Sequence, residues 1–515
     1  MTLQTKTNPT GLAARAGRKE WTAFVVLLLP LLLVSMDVSV LFFAIPSISR
    51  ELDPSSTQQL WIFDIYAFAL AGLLITMGSL GDRIGRRKLL MFGAAAFGVA
   101  SVGAAYAQSA EMLIAARAVL GVGGATLMPS TMALIRNMFT DEKQRSKAIG
   151  VWSGAMAGGI ALGSVMSGIM LEHFWWGSVF LINVPAMLLL LVLVPFLVPE
   201  FKDPEPGRFD LLSVPLSMGS VLPVIYGIKE MAADGFTVPM LLCVLAGLAV
   251  GTVFVRRQRS GRSTMISRAL FRKRGFGAGI TLNALAAFAM MGSSYFTTQY
   301  LQSVLGMSTM EAALWSMAPS IAVGVAAPTA TAVAQRVRRS SVVAAGFVIA
   351  AAGFVVLNLT GTDSLWLLLV GAAVSSSGIV TVMALVADMA LASAPVEKAG
   401  SAASLLETGQ EFGGAMGMAV LGSIGTAVYR VDIPASAPDQ VRATLGGARA
   451  VGDQGMVDVA REAFVHGMHF AAAGGAALLL AGAVLTVATL RGGKAAVEGG
   501  ATLEGEATAE PVPAA

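Results

Sequence analysis

The chain reads as an all-α polytopic membrane protein, and three observations carry that reading. Its 515 residues are 55% hydrophobic and only 13% charged, whereas soluble domains carry about 25% charged residues. Apolar stretches of about twenty residues, the length that crosses a bilayer as a helix, recur from end to end. The basic residues between those stretches fall almost wholly on alternate sides, as the positive-inside rule requires.

Fourteen stretches meet the length criterion, at 22–44, 60–80, 89–107, 112–135, 148–171, 178–198, 211–228, 237–255, 276–301, 312–333, 341–359, 365–387, 402–428 and 467–490. An even number places both termini on one side. With the N-terminus in the cytoplasm, inside segments hold 28 Lys and Arg. Outside segments hold six (Arg50, Lys229, Arg430, Arg442, Arg449 and Arg461), and Arg117 alone lies within a span.

This pattern divides the chain. Residues 1–21 are a cytoplasmic N-terminal segment, and the apolar run after them lacks a small-residue cleavage site, so it is read as a retained span. Residues 22–198 form a six-helix bundle. Residues 199–275 add two linker helices and a basic cytoplasmic loop, Arg256 to Arg274, with eight basic residues and no acid. Such a loop anchors topology and attracts anionic headgroups of membrane lipids. Residues 276–490 form a second six-helix bundle, with an outside loop at 429–466. The tail at 491–515, rich in Gly, Ala, Glu and Pro, is expected to be disordered and cytoplasmic. After the tenth span, Ala334-Gln335-Arg336-Val337-Arg338-Arg339 is a degenerate echo of the basic block after the second. The echo supports two similar six-span halves around a midplane cavity, a plan suited to rocking alternating access.

Composition excludes several classes. The single cysteine, Cys243, permits no intramolecular disulfide, and three histidines without Cys clustering offer no metal site. No nucleotide-binding glycine loop or nucleophile–base pattern is present, so the chain is not read as an enzyme, and a proton gradient rather than a cofactor is its expected energy source. The formal charge of +4 implies no nucleic-acid partner, because the basic residues are loop markers. The chain is expected to act as a monomer.

Ionisable residues within spans are costly and mark function. They are Asp37 in the first span, Asp64 in the second, Arg117 in the fourth, and Glu407 and Glu411 in the thirteenth. Glu407 and Glu411 stand four apart and share one helix face. An acid in a poorly hydrated cavity can hold a proton in one state and serve as counter-ion to a cationic substrate in another; it can equally make a structural hydrogen bond. Arg117 stays charged and needs an acid or carbonyls as partner. Trp61, Tyr66, Tyr295 and Tyr300 are candidates to contact a flat cation in the cavity, although interfacial anchoring accounts for such aromatics equally well.

The block Gly78-Ser-Leu-Gly81-Asp82-Arg83-Ile-Gly85-Arg86-Arg87-Lys88 lies between the second and third spans. Its glycines allow a tight turn and its Asp82 can pair with an arginine across it. The block resembles the signature of the major facilitator superfamily, where it forms a gating loop: Gly78, Asp82, Arg83, Gly85 and Arg86 match. Leu113-Ile-Ala-Ala-Arg117-Ala-Val-Leu-Gly121 resembles that superfamily's span-four motif, whose arginine is implicated in proton coupling. The fifth span carries Gly154, Gly158, Gly163 and Gly168, a small-residue face for close helix packing. It resembles the drug-antiporter motif, with Ser164 in place of the usual proline.

Met36-Asp37, Gln58 to Tyr66, Leu127-Met-Pro129, Phe180 to Pro185 and Lys398 to Glu407 extend the resemblance to the fourteen-span drug:proton antiporters of the QacA-like quaternary-ammonium group. The resemblance implies proton-driven export of small lipophilic cations (quaternary ammonium antiseptics, dyes and biguanides) from a bacterial cytoplasmic membrane. It makes Asp37, Asp64 and Glu407 acids of the drug and proton pathway. Some such exporters carry an acid in the tenth span that favours dications; Ala318 to Pro328 contains none, so monocations are expected to be preferred. A narrow exporter of one natural product, or a proton-coupled importer, is the rival reading.

Overall fold

The computed structural model describes residues 16–202, 212–260, 274–393 and 399–490. Their regular structure is helical throughout. The N-terminal bundle comprises α1 (Arg18–Leu52), α2 (Ser56–Ile84), α3 (Arg86–Ala105), α4 (Ala110–Met138), α5 (Glu142–His173) and a sixth crossing broken into α6 (Ser178–Leu181) and α7 (Asn183–Leu197). The linker hairpin is α8 (Ser213–Asp234) and α9 (Val238–Ser260). The C-terminal bundle follows with α10 (Arg274–Gln299), which runs into a π-turn over Tyr300–Val304. Then come α11 (Thr309–Trp315), α12 (Met317–Ala334), α13 (Arg339–Leu357), α14 (Leu365–Ser393), α15 (Ala399–Asp432) and α18 (Gln454–Leu490). Two short helices, α16 (Asp439–Ala443) and α17 (Leu445–Val451), join the last two.

Eleven of these helices are long and apolar enough to cross a bilayer, or twelve when the bent pair Ser56–Leu74 and Thr76–Ile84 counts as one span, among the described residues. The helices α5 and α8 lie where the fifth and seventh apolar stretches predict spans.

Turn chemistry ends the helices where the sequence is polar. Ser55 and Gln58 close a capping box at the start of α2, and Ser308 and Glu311 do the same for α11. Ser109 and Asp141 accept from the amides of Met112 and Gln144 to start α4 and α5. Glu111, in the first turn of α4, is held below the usual carboxylate range by backbone and Ser109 hydrogen bonds. Gly85 takes a φ of +112° between α2 and α3, a conformation open to glycine and strained for other residues.

The two bundles meet along α2 and α15, α5 and α11, and α1 and α10, and α8 leans on both α2 and α15. At the end of the molecule bearing residues 433–453, here the cap end, hydrogen bonds tie the halves together. Gln302 Nε2 donates to the Phe43 carbonyl (3.1 Å), and Ser56 Oγ donates to the Ala443 carbonyl (2.5 Å). The segment read as an outside loop, 429–466, is largely helical: α15 continues to Asp432 and α18 begins at Gln454. Its α16 and α17 bury Val441, Leu445 and Ala448 against the bundle. The amphipathic pattern of this stretch is too short to register as a span, yet its apolar residues cap the helix ends.

Residues 1–15, 203–211, 261–273, 394–398 and 491–515, which include most of the basic loop and all of the expected tail, lie outside the described residues.

Candidate functional site

The intramembrane ionisable residues fall into three clusters. In the first, Arg117 on α4 pairs with Asp37 on α1, both buried. Its Nε also donates to the Ile62 carbonyl on α2 at 3.1 Å, and its guanidinium lies 4.5 Å from the centre of the Tyr66 ring. The arginine finds an acid, a carbonyl and a π-face at once, which is what a charge held out of water requires.

In the second, Asp64 on α2 meets a residue that sequence reasoning assigned to an outside segment. Lys229 is not in an aqueous loop: α8 continues past it to Asp234, and its ammonium lies 2.5 Å from Asp64 Oδ2 with side chains 0% and 1% exposed. The Nζ also lies 4.5 Å from the Trp61 ring centre. Lys229 escaped notice because it stands where the apolar run of the seventh span ends, so it reads as a topology marker. The one hint was Asp64, a buried acid in need of a cation.

In the third, Glu407 and Glu411 follow each other on one face of α15, and among the described residues no cation pairs with either. Glu407 Oε1 is occluded and makes no hydrogen bond.

A central cavity of about 50 Å³ joins these clusters. Its lining includes Asp64, Tyr66, Arg117, Gln410 and Glu411. Met290, Met291 and Met418 complete it, supplying soft, adaptable surface. The volume admits a few waters and no bulky drug. Toward the cap end, Phe42 packs tilted on Phe63 and Phe63 meets Tyr295 edge to face, with ring centres 5.0 and 5.7 Å apart. A larger apolar cavity of about 330 Å³ lies between the linker hairpin and both bundles, lined by Phe68, Met218, Phe254, Ile280 and Phe412 among others.

The candidate aromatics divide. Tyr66 lines the cavity and Trp61 faces Lys229. Tyr295 closes the cap side and accepts from Gln59 Nε2 at 3.3 Å. Tyr300 departs from expectation: its hydroxyl donates to the Gly361 carbonyl and accepts from the Ser364 amide, which fixes it to a turn at the cap end, away from the cavity.

The loop between α2 and α3 places Asp82 in an ion pair with Arg86. The Arg87 and Lys88 amides donate to the Glu200 carboxylate at 2.9 and 3.3 Å, and the Arg86 amide to the Phe201 carbonyl. The loop is thereby clamped to the chain leaving α7. A Cβ on Gly85 would lie 2.6 Å from Glu200, and one on Gly81 2.9 Å from Arg86. A Cβ on Gly78 would make ordinary contact with Pro129 of α4 at 3.9 Å, and Arg83 is also engaged.

On α5 the packing face differs in part from the predicted one. A Cβ on Gly163 would strike Ser39 Oγ and the Met36 carbonyl of α1, and one on Gly168 would touch Met310 of α11. Gly158 has nothing within 4 Å; its neighbour Gly159 takes the place against Ser35 and Leu32. Positions 159, 163 and 167 repeat every four residues along one face, whereas 158 and 163 are turned about 140° apart. The surroundings of Gly154 lie outside the described residues.

Buried acids and a buried arginine around a small cavity between two helical bundles are the arrangement of a membrane transporter. The family model of the Major Facilitator Superfamily matches residues 27–418. The chain is 40% identical over 491 residues to the multidrug efflux pump LfrA of Mycolicibacterium smegmatis, covering 93% of this chain and 97% of that one. It is 32% identical to the methyl viologen resistance protein SmvA of Salmonella typhimurium (90% and 97% covered) and 30% identical to the tetracenomycin C resistance and export protein of Streptomyces glaucescens (82% and 80%). Among solved structures, a bacterial homolog of the human lysosomal transporter Spinster, inward-facing and unoccupied, superposes with a TM-score of 0.66 at 18% identity, covering 92% of this chain and 98% of that one. The chain belongs to the Major Facilitator Superfamily and is a multi-pass bacterial membrane protein.

Proposed function

We propose that the chain is a proton-driven multidrug efflux antiporter that exports lipophilic cations by alternating access. It would cross the cytoplasmic membrane fourteen times, with both termini inside. The observation that carries this reading is Glu411, a partly buried acid on the cavity wall that pairs with no cation among the described residues. Such an acid binds either a proton or a substrate cation, and that competition is the simplest basis for exchange. The Asp37–Arg117 pair beside it supplies a second charge store whose partners lie on different helices. The name of the LfrA relative, a multidrug efflux pump, agrees with drug export.

Inverted vesicles acidified inside and challenged with ethidium test the coupling. Ethidium should release protons through the wild type, and Asp37→Asn or Glu411→Gln should abolish that release. Release that persists in both variants overturns the assignment of acids.

Preference for monocations is part of the reading, because α12 carries no acid and Asp64 is already paired. The name of the SmvA relative points to a dication, so comparing ethidium with methyl viologen is decisive; equal efflux would refute the preference. The export protein for tetracenomycin C favours a second reading, a narrow natural-product exporter. Absence of efflux for every lipophilic cation would establish it over the first.

A further inference from the structure

Asp64 and Lys229 form a cation site that is already occupied by the protein itself. The ammonium lies against one acid and over one aromatic face, 2.5 Å from Asp64 Oδ2 and 4.5 Å from the Trp61 ring centre. An acid and an aromatic face are also what recognise an alkylammonium or pyridinium ligand. Asp64 also lines the central cavity, among the same wall residues as Glu411. We propose that Lys229 is a tethered competitor for the second positive charge of a substrate. With Lys229 in place, Asp64 is neutralised and Glu411 is the one acid left on the described cavity wall, enough for one charge. With Lys229 withdrawn, Asp64 becomes a further acid and a dication is accommodated. Lys229 thus sets charge specificity, an assignment that rests on the cation-export reading above.

The contrast with Arg117 identifies Lys229 as the exchangeable cation. Arg117 is held by a carboxylate on α1, a carbonyl on α2 and the Tyr66 ring. Lys229 holds one carboxylate and one ring, without the second-helix carbonyl that Arg117 adds. Its four-carbon stem is flexible, and its charge is a compact point rather than a rigid fork. It also belongs to neither bundle. The helix that bears it, α8, is separated from α2 and α15 over part of its length by the cavity of about 330 Å³, which leaves room for the hairpin to shift. Movement of the linker hairpin would therefore open and close the Asp64 subsite while both bundles keep their own packing.

Binding to purified full-length protein tests this, with methyl viologen as the dication and tetraphenylphosphonium as the monocation. In Lys229→Met the ratio of dication to monocation affinity should rise about tenfold, as expected if the free subsite is a minor population in the wild type. The gain should vanish in Lys229→Met/Asp64→Asn. An unchanged ratio, or a gain that survives in the double variant, overturns the proposal. Because Lys229→Met leaves a buried acid unpaired and can fail to accumulate, a second measurement uses wild-type proteoliposomes. Saturating methyl viologen should raise the reactivity of Lys229 toward a small membrane-permeant amine reagent, read by mass spectrometry, about tenfold. Unchanged or lowered reactivity overturns the proposal equally. If the wild type and variants bind neither cation, the cation-export reading itself falls; if both cations bind while the ratio and the labelling stay fixed, only the role of Lys229 falls.

Discussion

Arg117 shows how much one side chain carries. Its fork joins α1, α2 and α4 through Asp37, the Ile62 carbonyl and Tyr66. A lysine keeps the charge but cannot reach the acid and the carbonyl together. Arg117→Lys should therefore fold and lose most ethidium-driven proton release, measured in inverted vesicles. Arg117→Met should instead destabilise the protein by about 3–5 kcal/mol, because Asp37 is left buried and unpaired. Adding Asp37→Asn should restore thermal stability without restoring transport. Asp37, Asp64, Arg117, Glu407 and Glu411 were all legible in the sequence because a charge inside an apolar run stands out. Their partners were not. Nothing in the spacing of Asp37 and Arg117, eighty residues apart, says that they touch, and Lys229 carried the signature of a loop.

At the scale of elements, close approach decides what a helix can carry. α5 meets α1 through Gly159 and Gly163, where any side chain would enter the α1 backbone. Gly163→Val should lower the melting temperature of the purified protein and abolish efflux, since overpacking of this kind costs about 1–3 kcal/mol. Gly158→Ala, facing open space, should leave both unchanged, and a matching loss there would mean that the helix is rotated from its assigned face. The turn from α2 to α3 depends on Gly85 in the same manner. Its positive φ and the Glu200 carboxylate beside it exclude a Cβ, so Gly85→Ala should reduce accumulation of folded protein in the membrane. The glycines themselves were visible as a face of small residues. Their register was not, because a stretch with glycine at 154, 158, 159, 163 and 168 is compatible with more than one contact stripe.

At the scale of the whole molecule, contacts across the cap end hold the two halves together. α16 and α17 bridge the halves there: Ser56 reaches Ala443, and Gln440 Nε2 reaches Asp53 at 3.0 Å. Arg449 Nε also donates to the Ser303 carbonyl at 2.9 Å. Burial and the nearby Arg461 charge lower the affinity of Arg449 for its proton. If the halves rock, these contacts must part in each cycle. A Cβ on Gly446 would lie 3.3 Å from Ser49 Cβ on α1, near the ~3.5–4.5 Å span of a disulfide. Ser49→Cys with Gly446→Cys, in a chain whose only native cysteine is Cys243, should stop efflux when oxidised and recover it on reduction. Full efflux by the cross-linked protein would show that the cap moves with α1 rather than apart from it.

Long apolar runs, alternating basic loops and isolated intramembrane charges determined the membrane fold, its helical order and the candidate acids from the sequence alone. They could do so because hydrocarbon penalises unsatisfied backbone and unpaired charge locally, residue by residue. Tertiary structure alone decided which charges pair, which glycines touch, that Tyr300 anchors a turn, and that the linker hairpin delivers Lys229 to Asp64. Those outcomes depend on how helices distant in the chain are brought side by side, and no local periodicity records that placement.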